Sequence, residues 1–548
     1  MIRFSVFDDA GPARSFALRH AHLVGKEELA VAGTIDFADG LITCKKHSTD
    51  AAGLALQIEA GPTGRLTLQT CLLPDRPDPY LLDLELARHR IMLLLNKIEE
   101  WAWSDLAADH PVMLGFEKAR ALFTQSLIAP RGRTGAWTPE QATLARQSLI
   151  LGIETGERLS LLEAERSLAE RLTSPPKAET EASTIDVDLT DLPAEEPARP
   201  LLGCTVHTDQ FAEPLQKIVS RHFDLLSVPL RWAELEKDEG QHSFAPTDRW
   251  VEWAVRTAKI PVAGGPLIDF SARALPKWLY IWENDYKTLR ELTYEHLKTV
   301  VTRYRRAISR WIVASGLNVN SEISLRIEEM IDLTRLAVLT VRKLQPTATV
   351  IIEINQPWGE HVTHLDRSIA PLLYATLVKE QGIAFDGLSL RIQMGDTESG
   401  RSTRDLMALS AVLDTFASLE KPIHVTALGA PSAALKPAPA AAPAGKHNGP
   451  PPEWCADPGY WRQPWSATQQ AEWLTQAVSI AMSKPLVQSV CWQALFDSDV
   501  SPEMRFGGLI SSKGEAKPSL KRIGDVAASL RSRASPTTLP PVEAEARA

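Results

Sequence analysis

The sequence predicts an α/β chain, with a (β/α)8 TIM barrel from about residue 201 onward and a β-rich, then helical, region before it. Three observations predict this. Eight short apolar runs follow residue 200, and amphipathic segments separate most of them, which is the rhythm of a parallel sheet closed by crossover helices. No GxGxxG or P-loop pattern is present to support the alternative, a doubly wound open sheet, and no cofactor is expected. Hydrophobic residues make up 44% and charged residues 23% of the 548, an ordinary globular composition that supports a sizeable core.

Taken in order, residues 1–80 read as a β-rich domain. The runs ELAVAGTIDF and LITCKK flank Ala38-Asp39-Gly40, a hairpin turn. GLALQIEA and GRLTLQTCLL flank a second turn, Gly61-Pro62-Thr63-Gly64. Residues 81–172 then switch to helical periodicity, first in LLDLELARHRIMLLLNKIEEW. A second helix is predicted from near Thr138 to about Leu172, because Thr138 can cap, Pro139 suits the first helical position and Gln141 completes a capping box. Residues 173–200, rich in Pro, Ala and acids, read as a disordered linker. The barrel is expected over 201–531, with strands at 201–207, 223–230, 260–265, 308–315, 347–355, 385–393, 422–427 and 487–495. Helices are expected at 212–221, 248–257, 286–307, 322–344, 403–418 and 466–482. An Ala/Pro-rich insertion at 431–452 reads as a flexible loop, and 532–548 as a disordered tail.

Several function classes are disfavoured. A net charge of -9, spread along the chain, argues against a nucleic-acid surface. The five cysteines are far apart and form no CxxC or Cys/His cluster, so neither a metal site nor a disulfide framework is indicated. The N-terminal residues carry no signal-type apolar stretch, and no run approaches ~18 apolar residues. The expectation is a soluble cytoplasmic protein with no membrane contact. Fifteen Trp against seven Tyr is unusual; indoles serve as core anchors or stack on sugar rings.

Local motifs then carry a resemblance. Trp232, Glu236, Gly240 and Phe244 follow the second strand, Leu275-Pro276-Lys277-Trp278 follows the third, and VVTRYRRAISRW leads into the fourth. Ile354-Asn355 lies on the fifth strand, PIHVTALG forms the seventh, Trp492 lies on the eighth, and KPSL begins a last helix near Lys517. In their order and spacing these resemble the family-10 glycoside hydrolases, the xylanases, over about 200–530. The resemblance implies a retaining mechanism on β-1,4-xylan, with two carboxyl groups about 5–5.5 Å apart as acid/base and nucleophile. The family's WDVVNE on the fourth strand and TELD on the seventh supply them. Here those positions read Trp311-Ile312-Val313-Ala314-Ser315-Gly316 and Thr426-Ala427-Leu428-Gly429, so Gly316 and Ala427 replace both glutamates. The family's ENxMK becomes Ser227-Val228-Pro229-Leu230-Arg231, GH becomes Gly265-Pro266, and QSH becomes Arg391-Ile392-Gln393.

Other carboxylates are candidate substitutes. Asp269 follows the third strand and Glu322 the fourth; Glu322 also fits a helix N-terminus, where the dipole favours an acid. Glu353 alternates with Ile351 and Asn355 and is expected to face the barrel interior, paired with Arg391 as a structural ion pair. Glu360 and Asp396 are expected to be solvated on mouth loops. Candidate substrate contacts are Arg231, Asn355, Trp358, Trp461, Trp465 and Trp492, with Trp454 and Tyr460 in the same cluster. Three functions follow: a noncatalytic barrel that is carbohydrate-associated or a scaffold, a xylanase-like hydrolase with relocated carboxylates, and an interaction module whose N-terminal region binds a protein. A carbohydrate at the barrel mouth is the expected ligand.

Overall fold

The structure, a computed structural model, describes residues 1–173, 199–435, 457–497 and 504–532, apart from positions 9, 27–29, 32, 47, 133–134, 272–273, 324, 366 and 399. Most of the expected linker, insertion and tail therefore lies outside the described residues, as do Trp454 and Cys455.

Eight parallel strands close into a barrel: Leu201–Thr205, Leu225–Val228, Val262–Gly264, Arg310–Ser315, Thr349–Ile354, Gly387–Gln393, Ile423–Gly429 and Val487–Trp492. Each pairs with its neighbours in chain order, and the eighth returns to pair with the first through Leu202 and Val490. A two-residue strand, Ile268–Asp269, continues the third and lies beside Ala314 and Ser315. The strands are short β-branched and aliphatic runs because both of their faces are buried. Leu225, Ala263, Ile312 and Cys491 form a small apolar layer of their own. The larger core joins strands to the surrounding helices through residues such as Trp311, Val350, Leu388 and Val425.

The N-terminal region is built on the two expected turns. Gly33–Ala38 pairs antiparallel with Leu41–Lys46, and Asp39 and Gly40 both take positive φ (50° and 75°), as a two-residue hairpin of right-handed twist requires. Gly53–Glu59 pairs with Gly64–Gln69 around the second turn. Three helices follow, Leu82–Glu100, Pro111–Ile128 and Pro139–Thr173; the middle one was not foreseen. At the start of the third, the Gln141 backbone N–H lies 3.4 Å from Thr138 Oγ1, and the Gln141 side chain accepts from the Thr138 N–H at 3.3 Å. Thr138→Ala should lower stability by about 1 kcal/mol, the usual worth of such a cap, measured as a shift in denaturant midpoint at unchanged slope.

This region is fastened to the barrel. The helix Pro139–Thr173 packs on Ala467–Ser483 and Leu406–Ala417, and its Ala164 and Leu172 belong to the barrel core. Arg171 donates to the carbonyls of Met482, Lys484 and Val487, which bracket the start of the eighth strand. Arg90 and Asp405 form a buried ion pair across the junction. The helix expected over 322–344 begins only at Ile327. No helix among the described residues is long and apolar enough to cross a membrane.

Candidate functional site: the barrel mouth

In a parallel barrel the loops that follow the strands build the functional face. The fourth strand ends at Ser315 and hands over to Gly316, which adopts φ 68°. A Cβ at this position would lie 2.5 Å from the Ser271 backbone nitrogen, 2.9 Å from the Phe270 carbonyl carbon and 3.0 Å from Asp269 Oδ1. The backbone of 269–271 therefore fills the space into which a side chain at 316 would grow. Asp269 itself is buried and accepts from the Ser271 N–H (2.9 Å) and Oγ (2.5 Å), a local turn that fixes the carboxylate. On the seventh strand, Ala427 is buried and contributes a methyl group only.

Glu353 lies inside the barrel, 2% exposed. Ser315 Oγ donates to its Oε1 at 2.7 Å, Arg391 Nη1 lies 3.3 Å from the same oxygen, and Thr426 Oγ1 donates to Oε2. The fourth, sixth and seventh strands thus converge on one carboxylate of the fifth. Nearer the mouth, Gln393 Nε2 donates to Gln493 Oε1, and Gln493 Nε2 lies 3.4 Å from Met504 Sδ. Both glutamines are buried, and Gly429 and Gly507 back directly onto the Gln493 amide.

The remaining candidate residues are dispersed. Arg231 pairs with Glu234 at 2.9 Å. The Asn355 backbone exchanges hydrogen bonds with the Asn318 side chain. Glu322 accepts from the Tyr280 hydroxyl; because the helix starts five residues later, its reading as a first-turn helix acid is corrected. Glu360 and Asp396, expected to be solvated, are buried: Glu360 accepts from Ser402 and Arg404, and Asp396 pairs with Arg401 at 2.7 Å.

The tryptophans depart most from expectation. Trp461, Trp465 and Trp492 are 0%, 4% and 1% exposed, so none presents a ring face on which a sugar could stack. Their indole N–H groups donate to Glu157 (2.6 Å), the Gly459 carbonyl (3.2 Å) and the Gly507 carbonyl (2.9 Å). Tyr460–Trp461 is a strand of the N-terminal sheet, antiparallel to Gly64 and Arg65. Gly64 is required there, since a Cβ would sit 2.3 Å from the Tyr460 carbonyl oxygen. Trp358 is half-buried beneath Arg404, which lies 4.9 Å from its ring centre. Together with His22, Gln69, Pro371 and Phe416 these two residues line a small pocket between the N-terminal region and the barrel.

The N-terminal region thus docks on loops that follow the fifth, sixth and seventh strands. The Thr67 N–H donates to the Thr403 carbonyl, His20 lies 3.7 Å from Glu360, and the His20 and Gln57 side chains reach the Asp457 carbonyl. Burial alone would raise the Glu360 pKa, but the Arg404 guanidinium, with His20 beside it, holds it well below 4.5. A carboxylate whose pKa is lower folded than unfolded stabilises above its unfolded value and loses that contribution as pH falls through its folded value. The Tm gap between the native protein and Glu360→Gln should therefore be full at neutral pH, begin to shrink as pH falls through about 4.5, and go on shrinking down to the lower pKa of the folded state. A gap independent of pH would show that Glu360 is not held as a carboxylate.

One grouping escaped the sequence reading. Glu236, His242 and His296 bring their side-chain donor atoms within 4.8 Å of one another. Absence of a metal site was inferred from local Cys/His spacing, and His296 lies 60 residues beyond Glu236 on the helix Tyr286–Tyr304. Only the fold brings them together.

A family model described as glycosyl hydrolase family 10 matches residues 195–499, more than half of the chain. This chain belongs to glycosyl hydrolase family 10. Within the family it is similar to endo-1,4-beta-xylanase B of Thermotoga neapolitana, 27% identical over 106 residues, which are 19% of this chain and 30% of that protein. The chain thus spans under a third of the length of that curated relative. Among solved structures it is similar to native xylanase 10B from Thermotoga maritima (17% identity, 67% of this chain and 99% of that one, TM-score 0.45). It is likewise similar to xylanase 10B from Thermotoga petrophila in complex with xylobiose (17%, 64% and 99%, TM-score 0.44).

Proposed function

We propose that this family-10 member is a noncatalytic barrel, a glycan-associated or scaffolding protein that keeps the family's fold without its hydrolytic pair. The observation that carries the reading is Gly316. At the position matching the family's acid/base residue, the chain holds a left-handed glycine packed against the backbone of 269–271. A methyl group, Ala427, stands at the nucleophile's position, and neither residue can donate a proton or form a glycosyl ester. Two further features support it. The interior carboxylate, Glu353, is held by Ser315, Arg391 and Thr426, and the glutamine pair Gln393–Gln493 occupies the mouth. The N-terminal region is built onto the fifth, sixth and seventh loops, where an open cleft would need free surface. Family membership supports a carbohydrate as the ligand class.

A second reading has one observation in its favour. Asp269 Oδ1 lies 3.0 Å from where a Gly316 Cβ would be, so a carboxylate stands next to the acid/base position although it comes from another strand. On that reading the chain is a xylanase-like hydrolase with relocated carboxylates. A glycan-array screen and a hydrolysis assay on one preparation separate the readings. Glycan binding without turnover is the expected result. Turnover that Asp269→Asn abolishes establishes the second reading, and neither binding nor turnover assigns the barrel to protein interaction alone.

A further inference from the structure

We propose that Glu236, His242 and His296 bind one divalent transition metal of the zinc class, which clamps the loop after the second barrel strand to the helix Tyr286–Tyr304. The inference is independent of whether the barrel hydrolyses glycans.

Glu236 Oε2 lies 3.5 Å from His242 Nε2 and 3.8 Å from His296 Nδ1. Zinc bonds of about 2.0–2.2 Å in a tetrahedral arrangement separate their donor atoms by roughly 3.3–3.6 Å. Both separations from Glu236 therefore stand within a few tenths of an ångström of a metal-binding arrangement, and the two imidazole donors lie within 4.8 Å of each other, so closing the site needs side-chain adjustment and no rearrangement of the backbone.

His296 Nε2 lies 3.1 Å from the Leu267 carbonyl oxygen. A carbonyl only accepts, so Nε2 carries the proton, and in the neutral ring Nδ1 is a bare lone pair. This Nδ1 is buried without a hydrogen-bond partner, and the same is true of His242 Nε2. At 3.8 Å the Glu236 oxygen is too far to count as a partner. A lone pair facing a carboxylate across a buried gap is repulsive, and a cation between them reverses the sign. The N–H donated to a backbone carbonyl is also the usual outer partner of a metal-bound histidine, fixing its tautomer and orientation.

The surroundings pre-position all three groups. The Gly240 N–H donates to Glu236 Oε1 at 2.7 Å, and Trp232 Nε1 donates to Oε2 at 2.8 Å, so the carboxylate cannot swing away. Trp232 also stacks on the His296 ring, with centres 4.3 Å apart and planes 13° apart. His242 stacks on Phe244. Its side chain, 21% exposed, forms the solvent side of the group, where a water can complete four coordination. Two imidazoles and one carboxylate suit zinc, cobalt or nickel; calcium and magnesium take oxygen ligands and are excluded on donor type.

The test uses the full chain, stripped with a chelator and then titrated with zinc sulfate or cobalt chloride. The expected results are one zinc per chain after gel filtration, a rise in Tm with added zinc, and a visible cobalt spectrum of tetrahedral intensity. His242→Ala, at a partly exposed position, should keep the fold and the metal-free Tm while losing the zinc-dependent rise. Its affinity should fall by at least the roughly 10–100-fold that loss of even an outer partner costs. Glu236→Gln serves as a second variant. Wild-type protein that retains no zinc and gains no Tm overturns the proposal, as does zinc binding unchanged by His242→Ala. So does nitrogen NMR of the metal-free protein showing His296 as an imidazolium at neutral pH, since a proton would then occupy the place assigned to the metal.

Discussion

Gly316→Glu, alone or with Ala427→Glu, is expected to destabilise the protein by about 2–6 kcal/mol and to leave it inactive on xylan. From the sequence alone this pair looks like a restoration, two glutamates returned to two family positions. The structure gives a different expectation. A non-glycine residue at φ 68° is strained, and the new Cβ would meet the Ser271 nitrogen at 2.5 Å, which is backbone and cannot rotate away. The segment 269–271 must move before a side chain fits, and with it the turn that holds Asp269. Acid–base catalysis typically contributes 10²–10⁴-fold, but only when the group stands within reach of a held substrate. With the mouth occupied by Gln393 and Gln493, placing carboxylates alone does not supply that substrate. Chemical denaturation of the single and double variants, with product analysis on the same samples, checks both halves. A double variant as stable as the native protein and active on xylan would show that strand ends and cleft are intact.

The second large effect is expected at Glu353. Glu353→Ala should cost about 3–5 kcal/mol, because it leaves Arg391 facing a site built for an anion and removes the acceptor used by Ser315 and Thr426. Glu353→Gln should cost clearly less, since its amide oxygen still accepts from two of the three donors. Unfolding midpoints of the two variants measure the difference. Equal, small losses would mean that the pair contributes nothing to barrel stability.

Much of the fold is legible in the sequence because its signals are local. Apolar runs such as TVIIEI and IHVTAL mark strands buried on both faces, Asp39-Gly40 marks a hairpin, and Thr138-Pro139 marks a helix start. Glu353 was placed inside the barrel by alternation along its strand, and its partner by the neighbouring strand. What was not legible is long-range. Trp461 and Trp465 sit on a loop after a barrel strand, where a sugar platform is a fair expectation; Trp461 is buried where a sheet about 400 residues earlier adopts Tyr460–Trp461 as an edge strand, and Trp465 is buried against Trp473 in the barrel core. The sequence contains the glycine at 316 but not its handedness or the backbone lying against it. Glu236, His242 and His296 follow no local motif. The helix Pro111–Ile128 opens on a His110–Pro111 cap and was missed because its apolar residues do not mark one clear face.

Loss of hydrolysis is tested most directly by chromatographic product release from xylohexaose by the unmodified 548-residue chain. A noncatalytic barrel releases no products above the buffer rate at any pH where the protein is folded. Shorter xylo-oligosaccharides appearing with turnover, and disappearing in Asp269→Asn or Glu322→Gln, would contradict it and show that the chemistry moved to other carboxylates.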